Sequence, residues 1–530
     1  MSRLSPLTLA IAIVAIFATG IASAATVSPT TYYIAANGSD SNNGTSKTSP
    51  WQHAPGMPSC SATCASTTPH AGDQFIFRGG DTWHYGAGTP AVGGTWVWNW
   101  SGASGSVIYI GVDNTWFSGA SWARPIFTGD NAPTKNFITS CAHNTPEMFN
   151  ATDKSNVTID NFEWTGKCWS SGDGPVTIFY GRSSSATGSV NMTVSNNYFH
   201  GWMTCSSCSD DGYAILGYAN NTGTNPNSTV TGNVFDGSDS HCNGANDCEG
   251  FSVYGDCTNV TNNVFRYVSN VAVCNETLVF AGNNVQFSYE PFDSATHGNV
   301  MEWLGYGPNG AGTMYIYNNL IANVTNGETI DINIASTAYA FNNVYFNNGN
   351  SANCFMDESA NGASVTEYHF NETADNPCTF RIFNTFIGSW HAQNMHFIGY
   401  SPQSLAGTYN NNAGGNATII DDGGHVFQTE SQANAQGYTP ASNYAPSSSG
   451  NATVNAGANL TARCNAMANS AAQAACKAGT ATVSYDSVNH VVNIPTAVAR
   501  TSTGSWDAGA YEFSAAVVVN PPTSLTATVQ

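Results

Sequence analysis

Seven short segments of this 530-residue chain read as variants of one phrase: IDNFEW (159–164), VSNNYF (194–199), VTGNVF (230–235), VTNNVF (260–265), FAGNNVQF (280–287), IYNNLI (316–321) and AFNNVYF (340–346). The last Asn before each apolar pair is Asn161, Asn197, Asn233, Asn263, Asn284, Asn319 and Asn343, at steps of 36, 36, 30, 21, 35 and 24 residues, with a weaker copy at Asn384. A repeat of one supersecondary unit with loops of variable length describes these steps. β-formers alternate before each Asn pair, as in Val157 and Ile159, and apolar residues resume after it. Each copy therefore predicts a strand, a one-residue bend and a second strand. Asn adopts left-handed backbone angles more readily than other non-glycine residues, so it suits the bend. Stacked in successive coils, its amide could also donate to and accept from its neighbours, satisfying groups that would otherwise be buried unpaired. The expected fold is all-β, a parallel β-solenoid carrying an asparagine ladder.

Three regions together resemble the right-handed parallel β-helix, or pectate-lyase-like, superfamily of secreted bacterial proteins. They are YYIAANGSDSNNGTSKTSPWQ (32–52) with GDQFIFRGGDTW (72–83), the Asn-ladder segments, and GSWDAGAYEF (504–513). The resemblance implies a single-stranded right-handed β-helix and is specific for fold, not for substrate. Residues 1–24 combine Arg3, an apolar run and the ending Ala22-Ser23-Ala24, the pattern of a secretory signal. Next come an N-terminal cap and first coils (25–135), a β-helix core (136–400), C-terminal coils and a closing segment (401–515) and a linker-like tail (516–530). One helix is expected over about 459–478, where the sequence is Ala-rich.

Lys and Arg total 13 against 34 Asp and Glu, a formal charge of −21. No cluster of cations is available to neutralise a phosphate backbone, which excludes nucleic acid as a partner. A polyanionic sugar would be repelled at long range unless divalent cations mediate. No later stretch is long and apolar enough for a membrane span, so a secreted or cell-surface monomer acting on a polysaccharide is expected. Fourteen cysteines in an exported chain point to disulfides. Neighbours in sequence give seven pairs: Cys60 with Cys64, Cys141 with Cys168, Cys205 with Cys208, Cys242 with Cys248, Cys257 with Cys274, Cys354 with Cys378, and Cys464 with Cys476. Cys205-Ser-Ser-Cys208 has the spacing of half a zinc site or a redox motif, but one isolated CxxC outside the cytosol reads first as a loop staple. Several Asn-X-Ser/Thr sequons, such as Asn156, Asn191 and Asn259, fall within the repeats and are attributable to composition.

A second regularity follows the ladder: GDGPVTIFYG (172–181), DDGYAILGY (210–218), DCEGFSVYG (247–255), THGNVMEWLG (296–305) and NGETIDI (326–332). Each places an acidic residue, His or Asn at a turn leading into a strand. With coils in register, Asp173, Asp211, Glu249, His297 and Glu328 would project along one side. One reading is a carbohydrate groove with Asp211, Glu249 and His297 as the catalytic group. Asp173, Asp210, Asp247, Glu302 and Glu328 would then contact substrate. Two carboxyl groups can divide acid and base roles in glycoside hydrolysis, and carboxylates on adjacent coils would stand about 5 Å apart. The other reading is that Asp-Gly and Glu-Gly here are turn formers.

Of the polygalacturonase-type motifs, Asp210-Asp211 and His297-Gly298 are similar, but Arg381-Ile382 is followed by Phe383 and the Asn-Thr-Asp motif is absent. A pectate-lyase-type reaction would need a base, for which Lys167, Arg182 and Arg266 are the candidates. It would also need Ca2+, which Asp210, Asp211, Asp247 and Glu249 could hold through oxygen ligands. Hydrolase is placed ahead of lyase. A non-catalytic glycan-binding surface protein is the competing class, using Trp83, Trp96, Trp98, Trp100, Trp116 and Trp122 either for sugar stacking or for packing the first coils.

Overall fold

A computed structural model describes residues 28–514 except 137, 146, 170–175, 182–190, 205–211, 219–226, 241–251, 256, 269–270, 275–278, 288–298, 304–311, 325–328, 333–335, 347–354, 359–363, 376–379, 383–386, 400–408, 412–415 and 482. Its strands form three long parallel sheets, here A, B and C, of 13, 12 and 11 strands. One coil visits the sheets in the order C, A, B: Phe149–Thr152, Val157–Asp160, Glu163–Thr165, then Val176–Gly181 back in sheet C. The chain is thus an all-β parallel β-helix whose parallel crossovers take the right-handed sense.

Alternation decides which side chains enter the solenoid. Val194, Val230, Val260, Phe280 and Ile316 follow one another through sheet A, all at most 1% exposed. In sheet B, Phe199, Phe235 and Phe265 stack with ring centroids 4.9 and 4.7 Å apart. Each such ring contributes roughly 2–3 kcal/mol of burial. Trp83, Trp96 and Trp98 are fully buried in the same core, so they pack the first coils.

The asparagine ladder is present, but two residues divide the work assigned to one. The first takes the left-handed angle: Asn196, Gly232, Asn262, Gly282, Asn318 and Asn342 have φ between 56° and 69°. The second is fully buried and makes the ladder. Asn197, Asn233, Asn263, Asn283 and Asn319 each give their backbone N–H to the Oδ1 of the next, at 2.9–3.0 Å, and the series reaches Asn343. Their side-chain amides reach back to the preceding coil, as Asn263 Nδ2 does to Val230 O at 3.0 Å. Two of the expected ladder positions are therefore corrected. Asn161 is a bend residue (φ 66°), and Phe162 holds the ladder site in that coil. Asn284 is displaced by one, because Gly282 makes the bend and Asn283 the ladder; Asn284 instead pairs outward, its Nδ2 donating to Val483 O. Asn384 lies outside the described residues.

Beyond Asn343 the ladder site is occupied by Glu372, whose Oε1 accepts Asn343 Nδ2 at 2.6 Å and Tyr345 OH at 2.9 Å. Its Oε2 lies 2.8 Å from His369 Nδ1, and His369 Nε2 lies 3.2 Å from Glu367 Oε2, all inside the solenoid. Asn156 and Asn191 are also left-handed bends, stacked through Asn191 Nδ2 to Asn156 Oδ1 at 2.9 Å. Two of the sequons thus have a structural use.

Past sheet B's last strand, Val426–Gln428, the chain turns back along the outside of the solenoid. Tyr438 and Tyr444 cover Leu320, Val344 and Ile398 on sheet B. Leu460, Met467, Ala472 and Trp506 cover Tyr315, Tyr317, Phe341 and Phe370 on sheet A. The single helix expected near 459–478 is two helices, Thr461–Ala466 and Ser470–Cys476. Met467 leaves the helical angles, and Asn469 caps the second helix through Ala472 N–H. Cys464–Cys476 joins the two helices. Three other sequence-neighbour pairs form as expected, Cys60–Cys64, Cys141–Cys168 and Cys257–Cys274. The remaining three pairs lie outside the described residues. No described helix is long and apolar enough to cross a membrane.

An antiparallel hairpin, Ser484–Asp486 with Val491–Asn493, packs on sheet B within this wrap. His490 stacks on Tyr198 (4.1 Å, 5°), and Tyr198 stacks on His200 (4.2 Å, 11°). His200 Nδ1 lies 2.8 Å from Asp239 Oδ2 and Nε2 lies 3.1 Å from Glu163 Oε1. Burial pulls the imidazole pKa down, but the bonds to Asp239 and Glu163 overcome it and hold the value at about 9. A base raised above its unfolded value near 6.5 stabilises the fold fully below that pH and stops doing so as pH climbs through 9. The fall in melting temperature between pH 6.5 and 9.5 is therefore expected to be shallower in His200→Gln than in the parent. Parallel curves for the two would refute the assignment.

Candidate functional site on the outer face of sheet C

The C-terminal wrap leaves one face to consider. Among the described residues, its hydrophobic contacts are with the outer faces of sheets A and B. Sheet C keeps an outward column in strict register: Val97, Asn150, Phe179, Leu216, Tyr254, Val273, Glu302 and Asp331. Each outward residue stands between inward ones. Glu302 lies between Met301 and Trp303, and Asp331 between Ile330 and Ile332, four side chains of the core. Apolar neighbours that must point inward thus force both carboxylates outward.

The stripe changes character along its length. Phe179, Leu216 and Tyr254 give an apolar and aromatic stretch, with the Tyr213 ring 5.2 Å from that of Tyr254. Val273 follows, then Glu302 and Asp331 on adjacent coils. Strand spacing sets these two backbones about 4.8 Å apart. Asn299, fully buried, donates through Nδ2 to Glu302 Oε2 at 3.3 Å. Asp331 is 5% exposed, and the backbone register brings Glu358 opposite it on the next strand. From Asn150 to Asp331 the column crosses six strand spacings, about 29 Å, long enough to lie along several sugar units.

Of the residues expected to form the site, Glu302 lies on this stripe. Asp173, Asp210, Asp211, Asp247, Glu249, His297 and Glu328 lie outside the described residues. The strands that follow their turns are Val176–Gly181, Tyr213–Tyr218, Ser252–Gly255, Met301–Trp303 and Ile330–Ile332. All five are in sheet C, interrupted only by Ala272–Cys274. Asp331 lies in the segment NGETIDI, within the strand and past the turn that carries Glu328. The usable signal was the triplet itself: an acid between two core residues, in both Met-Glu-Trp and Ile-Asp-Ile.

Among the described residues, the candidate bases do not converge on this pair. Arg266 lies on sheet B, 3.4 Å from Asp236 and stacked on Tyr485. Arg182 lies outside the described residues. Lys167 is 2% exposed and donates to Thr145 O at 3.2 Å; burial draws its pKa down to about 7, against the opposing charge of Glu147. Glu147 in turn accepts from Asn150 at the far end of the stripe, five strand spacings, about 24 Å, from Glu302. Among the described residues no group of three or more His, Cys, Asp or Glu is placed to hold a metal ion.

No known sequence family matches the chain, and no curated protein is similar to it in sequence. Solved structures similar in fold include a pectate lyase, Pel9A, at 15% identity and a TM-score of 0.45, covering 92% of this chain and 97% of that one. A rhamnogalacturonan lyase is similar at 15% identity and a TM-score of 0.38, over 75% of this chain and 87% of its own. The native GH136 lacto-N-biosidase from Eubacterium ramulus is similar at 12% identity and a TM-score of 0.42, over 75% of this chain and 67% of its own. These likenesses concern the fold alone.

Proposed function

We propose that the chain is a secreted carbohydrate-active enzyme that cleaves an extracellular polysaccharide laid along the outer face of sheet C, by hydrolysis. The observation that carries this reading is the in-register pair Glu302 and Asp331, on adjacent coils at the end of the stripe holding Phe179 and Tyr254. A pair of carboxyl groups about 5 Å apart suits a retaining hydrolase, in which one protonates the leaving oxygen and the other attacks the anomeric carbon. Asp331 is assigned the acid role, and Glu302, which accepts a hydrogen bond from Asn299 Nδ2, the role of nucleophile. The aromatic stretch binds the apolar faces of neighbouring sugar units. Asp211 and Glu249, which precede strands of the same sheet in the sequence, are the further acid-base candidates.

The test is purified protein on a panel of neutral and acidic polysaccharides, with and without Ca2+, followed by reducing ends and by the absorbance of unsaturated uronate. New reducing ends without that absorbance are the expected result. Both signals together would mean elimination in place of hydrolysis. Binding to glycan with no product from any substrate would reject the enzyme reading in favour of a glycan-binding surface protein.

A further inference from the structure

We propose that the N-terminal end of sheet A carries a second saccharide-binding site, for a neutral, hydroxyl-rich glycan chain, on a different face from the sheet C stripe. Its ligand class rests on the carbohydrate reading above; its location and geometry do not. An open cavity of about 700 Å3 lies here on the outer face of the first coils, before the part of sheet A that the C-terminal wrap covers.

Its wall comes from an irregularity in strand pairing. Phe77 pairs with Val112 but Gly79 with Phe117, so residues 113–116 bulge away from the sheet. Bulges of this kind turn side chains away from the regular register and cluster near binding sites. The bulge is held by Asp113, which accepts from Thr115 N–H at 2.9 Å and faces Lys47 Nζ at 2.5 Å. The floor includes the Tyr109 ring, which lies over Gly111; a Cβ added there would fall 2.4 Å from ring atoms. Tyr109 OH donates to Asp160 Oδ2 at 2.8 Å, while Ser195 and Asn196 donate to Asp160 Oδ1 at 2.7 and 2.8 Å. Tyr33, braced edge-on by Trp116 at 5.3 Å, presents a second ring.

The lining thus joins two aromatic rings to the amides of Asn114, Asn161 and Asn196 and to a carboxylate whose oxygens already accept three donors. That is the chemistry of a sugar with apolar faces and an equatorial rim of hydroxyls. No cation is among the lining residues, and the adjacent Lys47 is engaged by Asp113, so an acidic glycan finds no counter-charge. A polymer held on sheet A would raise the local concentration of chain segments at sheet C through effective concentration.

Native gels containing a soluble β-glucan, a galactomannan or polygalacturonate test this with the full chain carrying Glu302→Gln and Asp331→Asn, so that nothing is cleaved. At least one neutral glycan is expected to retard the protein and polygalacturonate is not. Adding Tyr33→Ala, or separately Asn161→Gly, which keeps the left-handed bend, should weaken that retardation about tenfold. Retardation by polygalacturonate alone, no retardation by either neutral glycan, or retardation unchanged in both variants would each overturn the proposal. Cleavage assays on Tyr33→Ala in the parent background separate the two readings. Short oligosaccharides should be cut at the parent rate if sheet C is the active face, whatever the gels report for sheet A.

Discussion

Glu302→Gln is expected to lower the rate of polysaccharide cleavage by roughly 10²–10⁴-fold, the usual contribution of a positioned carboxyl group. Asp331→Asn should cost a similar factor on the natural polymer. The two should diverge on an aryl glycoside whose leaving group needs no protonation: Asp331→Asn should regain most of its activity there, and Glu302→Gln should not. Because the groups act on one bond, the double variant should be little worse than the slower single one. Both positions point out of the solenoid between core residues that remain in place, so melting temperatures should stay near the parent value. A single variant keeping more than a tenth of the parent rate would remove Glu302 and Asp331 from the chemistry. The turns holding Asp211 and Glu249 would then be the next positions to test.

The second large effect is on the fold. Asn263→Ala removes the acceptor of the Asn233 backbone N–H and the donor to Val230 O, and breaks the amide contact with Asn283, all at fully buried positions. Two or three buried groups left without partners cost about 3–6 kcal/mol together. That is a large share of the stability of most domains. Loss of folded protein, or a melting temperature lowered by many degrees with faster proteolysis between the flanking coils, is the expected outcome. The adjacent residue supplies the control. Asn262 has φ 56° and serves the bend, so Asn262→Gly should lie within about 1 kcal/mol of the parent, whereas Asn262→Val forces a β-branched residue into a left-handed angle. Equal effects of Asn263→Ala and Asn262→Gly would contradict the division between bend and ladder.

The repeat made the solenoid legible because both jobs at the corner favour Asn: one by its backbone tolerance, the other by its amide. For the same reason the register could be misread. In FAGNNVQF only Gly282, a better bend residue than either Asn, reveals that Asn283 and not Asn284 holds the ladder site. For the candidate site the sequence indicates a side of the molecule more than a set of residues. The turns singled out do lead into neighbouring strands of sheet C, but Asp331 was hidden in a three-residue strand. The C-terminal wrap was illegible, since its contacts, such as Asn489 O with Arg124, span hundreds of residues and leave no local period.

The ladder also has a direction. Every Oδ1 described from Asn233 to Asn343 receives the N–H of the residue one coil earlier, so the amide dipoles are aligned head to tail along the solenoid. Like the peptide units of an α-helix, they add, and the donor end of the series faces the C-terminal coils. Glu372 sits at that end, where its carboxyl group accepts the last NH2 group of the row, that of Asn343. The row therefore behaves as a polarised wire with Glu372 as its terminal acceptor. Neutralising Glu372 should loosen amides several coils away, in sequence order of distance from the break.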